Sequence, residues 1–332
     1  MISRTATVKT PNATSLLTGA LAGVTAALLL LGANTQSYFA ILFVAAAALP
    51  VLIVGLGWGN AAAAVAVVVA GLGLAMFASP LSALFVVIIM LAPAAWLSHL
   101  ANLARPASEL GGPDGALAWY PLSDILSHLV LLVTVGAIII GAITGYDDRL
   151  ASLVVDQVVI AMKAQDPQYN LSPEVIEQLK SAFNIGWPLL FGMLWVMILF
   201  TAYYVASRIV QMSGKNLRPR EDMPSTLRMH RYSIFAFLAG LVLAFMGGGL
   251  ATIGAVICGT FGAGFLLAGF AVFHFRTRGK SWRLPVLWIG YMSVLIFQVP
   301  AFFFLLSGLM DTRRAIALSP AGKTTDTESK DL

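Results

Sequence analysis

Long apolar runs alternate with short polar segments along most of the chain. A helix needs about 20 mainly apolar residues to cross the hydrocarbon layer of a bilayer, with about 17 as a lower limit. The runs predict nine spans: Leu16–Leu31, Tyr38–Leu56, Ala61–Phe77, Leu81–Leu103, Leu122–Thr144, Trp187–Ile209, Tyr232–Met246, Leu250–Phe275 and Leu284–Leu309. They are continuous rather than alternating in polarity, so they fit membrane helices and not β-barrel strands. The predicted fold is an all-α polytopic transmembrane helix bundle.

Basic residues collect in alternate connections between these runs, which predicts an orientation. Cytoplasmic loops of membrane proteins carry an excess of Lys and Arg. With the N-terminus in the cytoplasm, the connections that contain Arg105, Arg208–Arg231 and Arg276–Arg283 all fall on that side. The sequence therefore predicts a multi-pass membrane protein with a cytoplasmic, uncleaved N-terminus.

Two places decide the number of spans. The run Tyr232–Met246 is short, but Arg231 before it and Arg276 after the next run share a side only if both runs cross. Arg313 and Arg314 follow the last run, and as basic residues they favour the cytoplasm. Nine spans would place them outside. Eight spans therefore stay open as an alternative, and with it the side on which the C-terminus lies.

The connection between the fifth and sixth spans is long, acidic and periodic. Ser172 and Pro173 form a helix start signal, and one apolar face follows over Val175–Phe183. An earlier face repeats at helical spacing through Leu150, Leu153, Val154 and Val158. Two amphipathic helices are therefore predicted in this outer loop, on the membrane surface or packed on the bundle. The chain divides into a cytoplasmic N-terminus (1–14), a transmembrane domain (15–314) and a disordered polar tail (315–332).

Composition supports the bilayer as the main partner of this chain. Mean hydropathy is +0.86, and only 11% of the residues are charged, against about 25% in soluble domains. The net charge of +5 lies beside the predicted spans, so it indicates an anionic lipid surface and not nucleic acid. Cys258 is the only cysteine, which excludes an intramolecular disulfide.

Polar residues at membrane depth are costly, so each is a functional candidate. Asp124 and His128 are four residues apart in the fifth span and therefore share a helix face. Together with Gln298, which precedes Pro300 in the last span, they form the candidate polar pocket; the alternative for Asp124 is a cap on the helix N-terminus. Tyr203 and Tyr204 in the sixth span are candidates to line a cavity or to make packing contacts.

No motif for catalysis, cofactor binding or metal binding occurs in the sequence. There is no Walker loop and no G-x-S-x-G turn, and the four histidines do not have metal-ligand spacing. The glycine-rich stretches lie inside apolar spans rather than after soluble strands. We therefore expect no enzyme activity, no catalytic residues, no metal and no cofactor.

Two further surfaces are candidates for partners. The first span carries small residues at helix-contact spacing, which form a candidate helix-docking face of Gly19, Ala22, Gly23 and Ala26. The connection after the sixth span is a candidate basic cytoplasmic loop, with Lys215, Arg218, Arg220, Arg228 and Arg231.

The order of segments resembles the YybS-like family of uncharacterised bacterial membrane proteins, known as domain of unknown function 2232. The segments that carry the resemblance are 15–23 (SLLTGALAG), 49–59 (LPVLIVGLGWG), 93–96 (PAAW), 206–210 (ASRIV), 269–274 (GFAVFH) and 308–313 (GLMDTR). This family is distantly similar to the S components of energy-coupling-factor transporters, which have six spans and bind a vitamin or a metal from outside. By that resemblance, the small residues of the first span would dock a partner subunit.

Two functions are compatible with these features. The first is a substrate-binding or transport-related subunit without its own ATPase, with an outward-facing cavity lined by the fourth to sixth spans and a small-molecule substrate. The alternative is a structural or scaffold protein of the cell envelope, which would dock a cytoplasmic partner or anionic lipid through its basic loops.

Overall fold

Nearly all of the chain is helical in the computed structural model, which describes residues 12–33, 39–144, 148–166, 171–312, 316 and 318–320. The helices are α1 (Ala13–Ala33), α2 (Ala40–Trp58), α3 (Asn60–Phe77), α4 (Pro80–Val86), α5 (Ala92–Ala101), α6 (Leu122–Thr144), α7 (Asp148–Gln165), α8 (Pro173–Met212), α9 (Met223–Thr226), α10 (Ser233–Ala244), α11 (Gly248–Arg276), α12 (Arg283–Phe297) and α13 (Val299–Met310). The strands are β1 (Ala104–Pro106), β2 (Ala116–Trp119) and β3 (Leu318–Pro320). A π-helical segment, Val87–Leu91, joins α4 to α5. The architecture confirms the predicted all-α polytopic bundle.

Seven helical segments of the described chain are long and apolar enough to cross a membrane: α1, α2, α3, α4 with α5, α6, α8 and α11. Three shorter apolar helices, α10, α12 and α13, complete the bundle. α10 has only 12 residues and ends before Gly247 and Gly248, whose φ angles of +78° and +56° form a sharp turn into α11. Glycine suits this turn because other residues rarely adopt positive φ. The short seventh run therefore forms a 12-residue helix before a glycine turn, and its crossing of the membrane stays a prediction.

Contacts between helices show which helix ends share a side. α1 and α3 run in the same direction, since Gly19 lies against Ala62 and Gly23 lies against Ala66. α6 and α11 run in opposite directions, since Val130 packs near Gly264 and the hydroxyls of Thr134 and Thr260 lie 2.7 Å apart.

Two hydrogen bonds connect further helix ends to the same side. Asn102, just after α5, donates through Nδ2 to the Gly55 carbonyl of α2 at 2.9 Å. Arg218, just after α8, donates through Nη1 to the Ala101 carbonyl at 3.3 Å. We call this side, which holds the starts of α1 and α6 and the ends of α2, α5, α8 and α11, the basic end of the bundle. The basic loop 215–231 lies here.

The predicted ninth span is divided into two helices. Its break is at Gln298, whose φ of +56° separates α12 from α13. α13 runs antiparallel to α11, since Phe304 lies against Gly269 and Gly308 lies against Phe265. Beyond α13, β3 pairs antiparallel with β2, with Leu318 opposite Ala118, so the segment 318–320 lies at the basic end, on the same side as the start of α1. α12 and α13 are each shorter than a membrane span, and the choice between eight and nine spans stays a prediction.

The outer loop contains one amphipathic helix and one helical extension. α7 corresponds to the first predicted helix, although Ala151, Val155 and Val159 are its buried positions and the predicted face is largely exposed. The second predicted helix is not separate: α8 runs for 40 residues without interruption, about 60 Å. Gly186 and Pro188 lie within α8, but the helix continues through both into the sixth span. Lys180 Nζ of α8 lies 3.5 Å from Asp156 Oδ1 of α7 and connects the two.

Part of the predicted disordered tail is ordered. β3 lies within residues 315–332, and Trp119 Nε1 donates a hydrogen bond to Ser319 Oγ at 2.8 Å. The prediction of disorder is therefore wrong for Leu318–Pro320, because backbone pairing with β2 orders a segment of polar sequence. Arg313, Arg314 and residues 321–332 lie outside the described residues, as do residues 1–11.

Candidate functional site

The structure brings two of the three predicted pocket residues together. Asp124 and His128 lie in the first two turns of α6 and line one groove. Gln298 does not join them: it is exposed at the break between α12 and α13. The sequence-based grouping of Gln298 with the other two is therefore wrong, because the last span is divided at this residue and does not pass beside α6.

This groove lies between α6 and α10, and α11 contributes Phe261 to it. We call it the α6–α10 groove; its volume is about 390 Å³. It is lined by Tyr120, Asp124, Ser127, His128, Leu131, His230, Tyr232, Ser233, Ala236 and Phe261. His230 lies in the predicted basic loop. The sequence does not identify it as a site residue, because no feature of the neighbouring sequence places it next to α6.

Backbone hydrogen bonds fix the tautomers of the two histidines. His128 Nδ1 lies 2.8 Å from the carbonyl oxygen of Asp124, which can only accept, so Nδ1 carries the proton. In the neutral ring, His128 Nε2 is then an acceptor. His230 Nδ1 accepts from the backbone N–H of Tyr232 at 3.3 Å, so its Nε2 carries the proton and is a donor. Ser127 Oγ accepts from the backbone N–H of His230 at 3.1 Å and holds this segment against α6.

A second cavity, which we call the basic-end cavity, lies where the ends of α2, α5 and α8 meet the start of α6. Its volume is about 420 Å³. Helix residues that line it are Leu56, Ala101, Asn102, Leu122, Tyr203, Tyr204, Ser207, Arg208, Val210 and Gln211, and the segment 216–224 completes it. Tyr203 and Tyr204 are among the lining residues, which is one of the two roles that the sequence left open for them.

The fourth to sixth spans contribute to this cavity through α5, α6 and α8. It lies at the basic end of the bundle, and the side of the membrane that this end faces stays a prediction. Toward the opposite end, α8 and α11 are in direct contact, since Gly259 lies against the Leu189 carbonyl. At the basic end the helices separate, and the segment 216–224 forms a wall.

Charge in the basic-end cavity is uneven. Its two carboxylates each pair with an arginine: Glu221 with Arg218, and Asp222 with Arg278 through two bonds of 2.6 and 2.8 Å. Burial raises the pKa of Glu221, and Arg218 opposes that shift. The hydrogen bonds from Arg278 lower the pKa of Asp222 to about 2.

Two further arginines line the cavity without such a partner. Arg208 and Arg220 form no ion pair with any carboxylate in the described part of the chain. Arg208 Nη1 donates to Gln211 Oε1 at 3.3 Å. The cavity therefore carries a net positive charge. Arg208 could have been singled out from the sequence as the only basic residue in the last turn of a predicted span.

The predicted basic loop is only partly available to partners. Arg228 is 1% exposed, and its Nε lies 2.9 Å from Asp311 Oδ2. Arg218 is mostly buried beside Glu221. Lys215, Arg220 and Arg231 are exposed, with Lys215 Nζ 4.5 Å from the centre of the Trp58 ring. Part of the loop therefore makes contacts within the chain, through the Arg218–Glu221 and Arg228–Asp311 pairs, which its sequence does not indicate.

The predicted helix-docking face is used inside the chain. Gly19, Ala22, Gly23 and Ala26 are buried, and both glycines lie against α3. A Cβ added to Gly23 would come within 2.6 Å of the Ala66 carbonyl oxygen and 2.7 Å of Val69 Cβ. This face therefore holds α1 in the bundle and is not available to a partner subunit.

Comparisons with known proteins agree with the membrane architecture. The family model described as predicted membrane protein (DUF2232) matches residues 23–312, which include part of α1 and all of α2 to α13. The chain belongs to this family. No curated protein matches it, and no solved structure matches it.

Proposed function

We propose that this member of the DUF2232 family binds a phosphate-bearing ligand in the basic-end cavity, as a binding or transport-related subunit without its own ATPase. The observation that carries the proposal is the charge balance: both carboxylates of the cavity are paired, whereas Arg208 and Arg220 have no carboxylate partner among the residues that the structure describes. Arginine is well suited to phosphate because its fork of donors matches two oxygens. A volume of about 420 Å³ lies within the range of small-molecule sites.

We place the basic end in the cytoplasm of a bacterial cell, with the protein in the inner membrane. Its support is the excess of Lys and Arg in the connections at this end. The ligand then enters from the cytoplasmic side, either as a soluble phosphate compound or as the headgroup of an anionic lipid. The YybS-like name and the similarity to S components stay predictions. That similarity implies that the small residues of α1 contact a partner subunit. In this chain they pack against α3.

The rival scaffold function receives less support from the basic loop. Two of its five basic residues, Arg218 and Arg228, are in intrachain ion pairs, which leaves a smaller exposed surface for a cytoplasmic partner.

Thermal unfolding in detergent tests the proposal. Cys258 is the only thiol, and it is half-buried in α11, so a fluorogenic maleimide reports unfolding at one defined site. One arm adds inorganic pyrophosphate and the other adds phosphatidylglycerol. A ligand at 100 times its Kd stabilises by about 2.7 kcal/mol. We expect one arm to raise the unfolding temperature, and its identity tells a soluble anion from a lipid headgroup.

Matched variants locate the binding. Arg208→Gln and Arg220→Gln should lose the shift, whereas Arg105→Gln, an exposed arginine of β1 outside the cavity, should keep it. No shift in either arm, or an equal loss in the Arg105 variant, contradicts the proposal.

A further inference from the structure

We propose that the α6–α10 groove binds an uncharged, hydroxyl-bearing amphiphile that enters from the bilayer. The groove is separate from the basic-end cavity, because no residue lines both. Ligand binding in this groove can therefore be tested independently of the proposed function.

Apolar surface leads from the groove along the lipid-exposed side of the bundle. Leu131, at its edge, is 51% exposed, and Val135 one turn further along α6 is 47% exposed. Ala236 of α10 and Phe261 of α11 add apolar walls. An acyl chain is the natural occupant of such a surface, because the surrounding solvent is hydrocarbon. The groove volume of about 390 Å³ accommodates a headgroup and the first carbons of a chain.

The polar part of the groove presents a donor and an acceptor from two different segments. His230 Nε2 is a donor, and His128 Nε2 is an acceptor in the neutral ring, as their backbone contacts require. A hydroxyl is the simplest group that satisfies both, since it accepts one hydrogen bond and donates another. Two tyrosines flank this pair: the Tyr120 ring lies 5.9 Å from His128, and the Tyr232 ring lies 5.1 Å from His230.

The lining of the groove contains no Lys or Arg, in contrast to the basic-end cavity. The Asp124 carboxyl in this lining is 8% exposed and accepts from Ser123 Oγ at 3.2 Å. Arg231 lies beside the groove, with its guanidinium 4.9 Å from the ring centre of the lining residue Tyr232 and its Nη2 3.0 Å from the Tyr232 hydroxyl. No Lys or Arg of the lining therefore offers a counterion to a phosphate, and the α6–α10 groove favours a neutral head.

Photolabelling of the full-length protein in detergent micelles tests this inference. The probe is a diacylglycerol with a diazirine in one acyl chain near the headgroup, and mass spectrometry locates the label. We expect saturable labelling of peptides that contain Leu131 or Ala236, with competition by unlabelled dioleoylglycerol. Phosphatidylglycerol should compete at least tenfold less well.

Variants test the role of the histidine pair. His128→Asn and His230→Asn should each weaken the competition by dioleoylglycerol about tenfold, because each loses one hydrogen bond to the headgroup. His274→Asn is the matched control: His274 lies at the same end of the bundle, but its Nε2 is 2.6 Å from Tyr291 Oη and outside the groove. Unfolding followed at Cys258 confirms that each variant is folded.

One further variant removes the apolar part of the site without touching the histidines. Leu131→Trp should block labelling, because the larger side chain fills the groove edge. Labelling outside the groove, equal competition by phosphatidylglycerol, or an unchanged affinity in both histidine variants overturns the proposal.

Discussion

The buried ion pair between Arg228 and Asp311 should hold the end of α13 against the segment that precedes α10. Its Nε–Oδ2 distance is 2.9 Å, and the two side chains are 1% and 13% exposed. Asp311→Ala would leave the Arg228 charge buried without a counterion. Removing one partner of a buried pair costs about 3–5 kcal/mol.

The destabilisation by Asp311→Ala should lie in the lower part of this range. Arg228 Nη1 keeps hydrogen bonds to the carbonyls of Pro224 at 3.0 Å and Leu227 at 2.7 Å, so the guanidinium is not left without acceptors. We therefore expect a loss of about 3 kcal/mol, which corresponds to a fall of roughly 6–12 °C in unfolding temperature.

The maleimide assay at Cys258 measures this change in detergent. The double variant Arg228→Met, Asp311→Leu should unfold closer to the parent than Asp311→Ala does, because apolar side chains can replace a buried pair without leaving a charge. Asp156→Ala is the control, since the Lys180–Asp156 pair is exposed at its carboxylate and should contribute less than about 1 kcal/mol. If Asp311→Ala unfolds within about 1 °C of the parent, the reasoning about this ion pair is refuted.

Three more predictions follow from the fold. Reporters fused to the two termini should report the same side of the membrane, since the β2–β3 pairing brings the segment 318–320 to the same end of the bundle as the start of α1; opposite sides would contradict this reasoning. Gly23→Val should destabilise the protein by about 1–3 kcal/mol in the same thermal assay, because its Cβ would meet α3, whereas Leu28→Val, 63% exposed on the same helix, should change stability by no more than about 0.5 kcal/mol. The Asp222–Arg278 pair should stabilise the protein above about pH 4 and lose this effect as the pH falls through about 2, because the pKa of Asp222 is depressed in the folded state. Both side chains are 45% exposed, so the pair should contribute no more than about 1 kcal/mol to the free energy of unfolding. Melts of Asp222→Asn and the parent should therefore converge on acidification, and a difference that grows instead would contradict this assignment.

The candidate sites were only partly predictable. Asp124 and His128 were found because they lie four residues apart on one apolar helix, a relation that the sequence displays directly. His230 comes about a hundred residues later, and only the packing of its segment against Ser127 brings it to the groove. The position of the basic-end cavity along the bundle was not predictable, because spacing along a helix does not reveal where neighbouring helices separate.

The small residues of α1 show the same limit. Their spacing correctly indicated a close helix contact, but α3 satisfies it within the chain. A pattern of small residues does not show whether the helix that packs against it belongs to the same chain or to a partner protein.

The sequence by itself determined the class of this protein and the places where helices enter the bilayer. Hydropathy is a local property, and hydrocarbon excludes any backbone that is not internally hydrogen-bonded, so each apolar run had to be helical. The tertiary structure decided how the last apolar run is arranged, through the break at Gln298, the β2–β3 pairing and the Arg228–Asp311 pair. It also decided which polar residues share a site. These features depend on contacts between residues far apart in the chain, and hydropathy does not encode them.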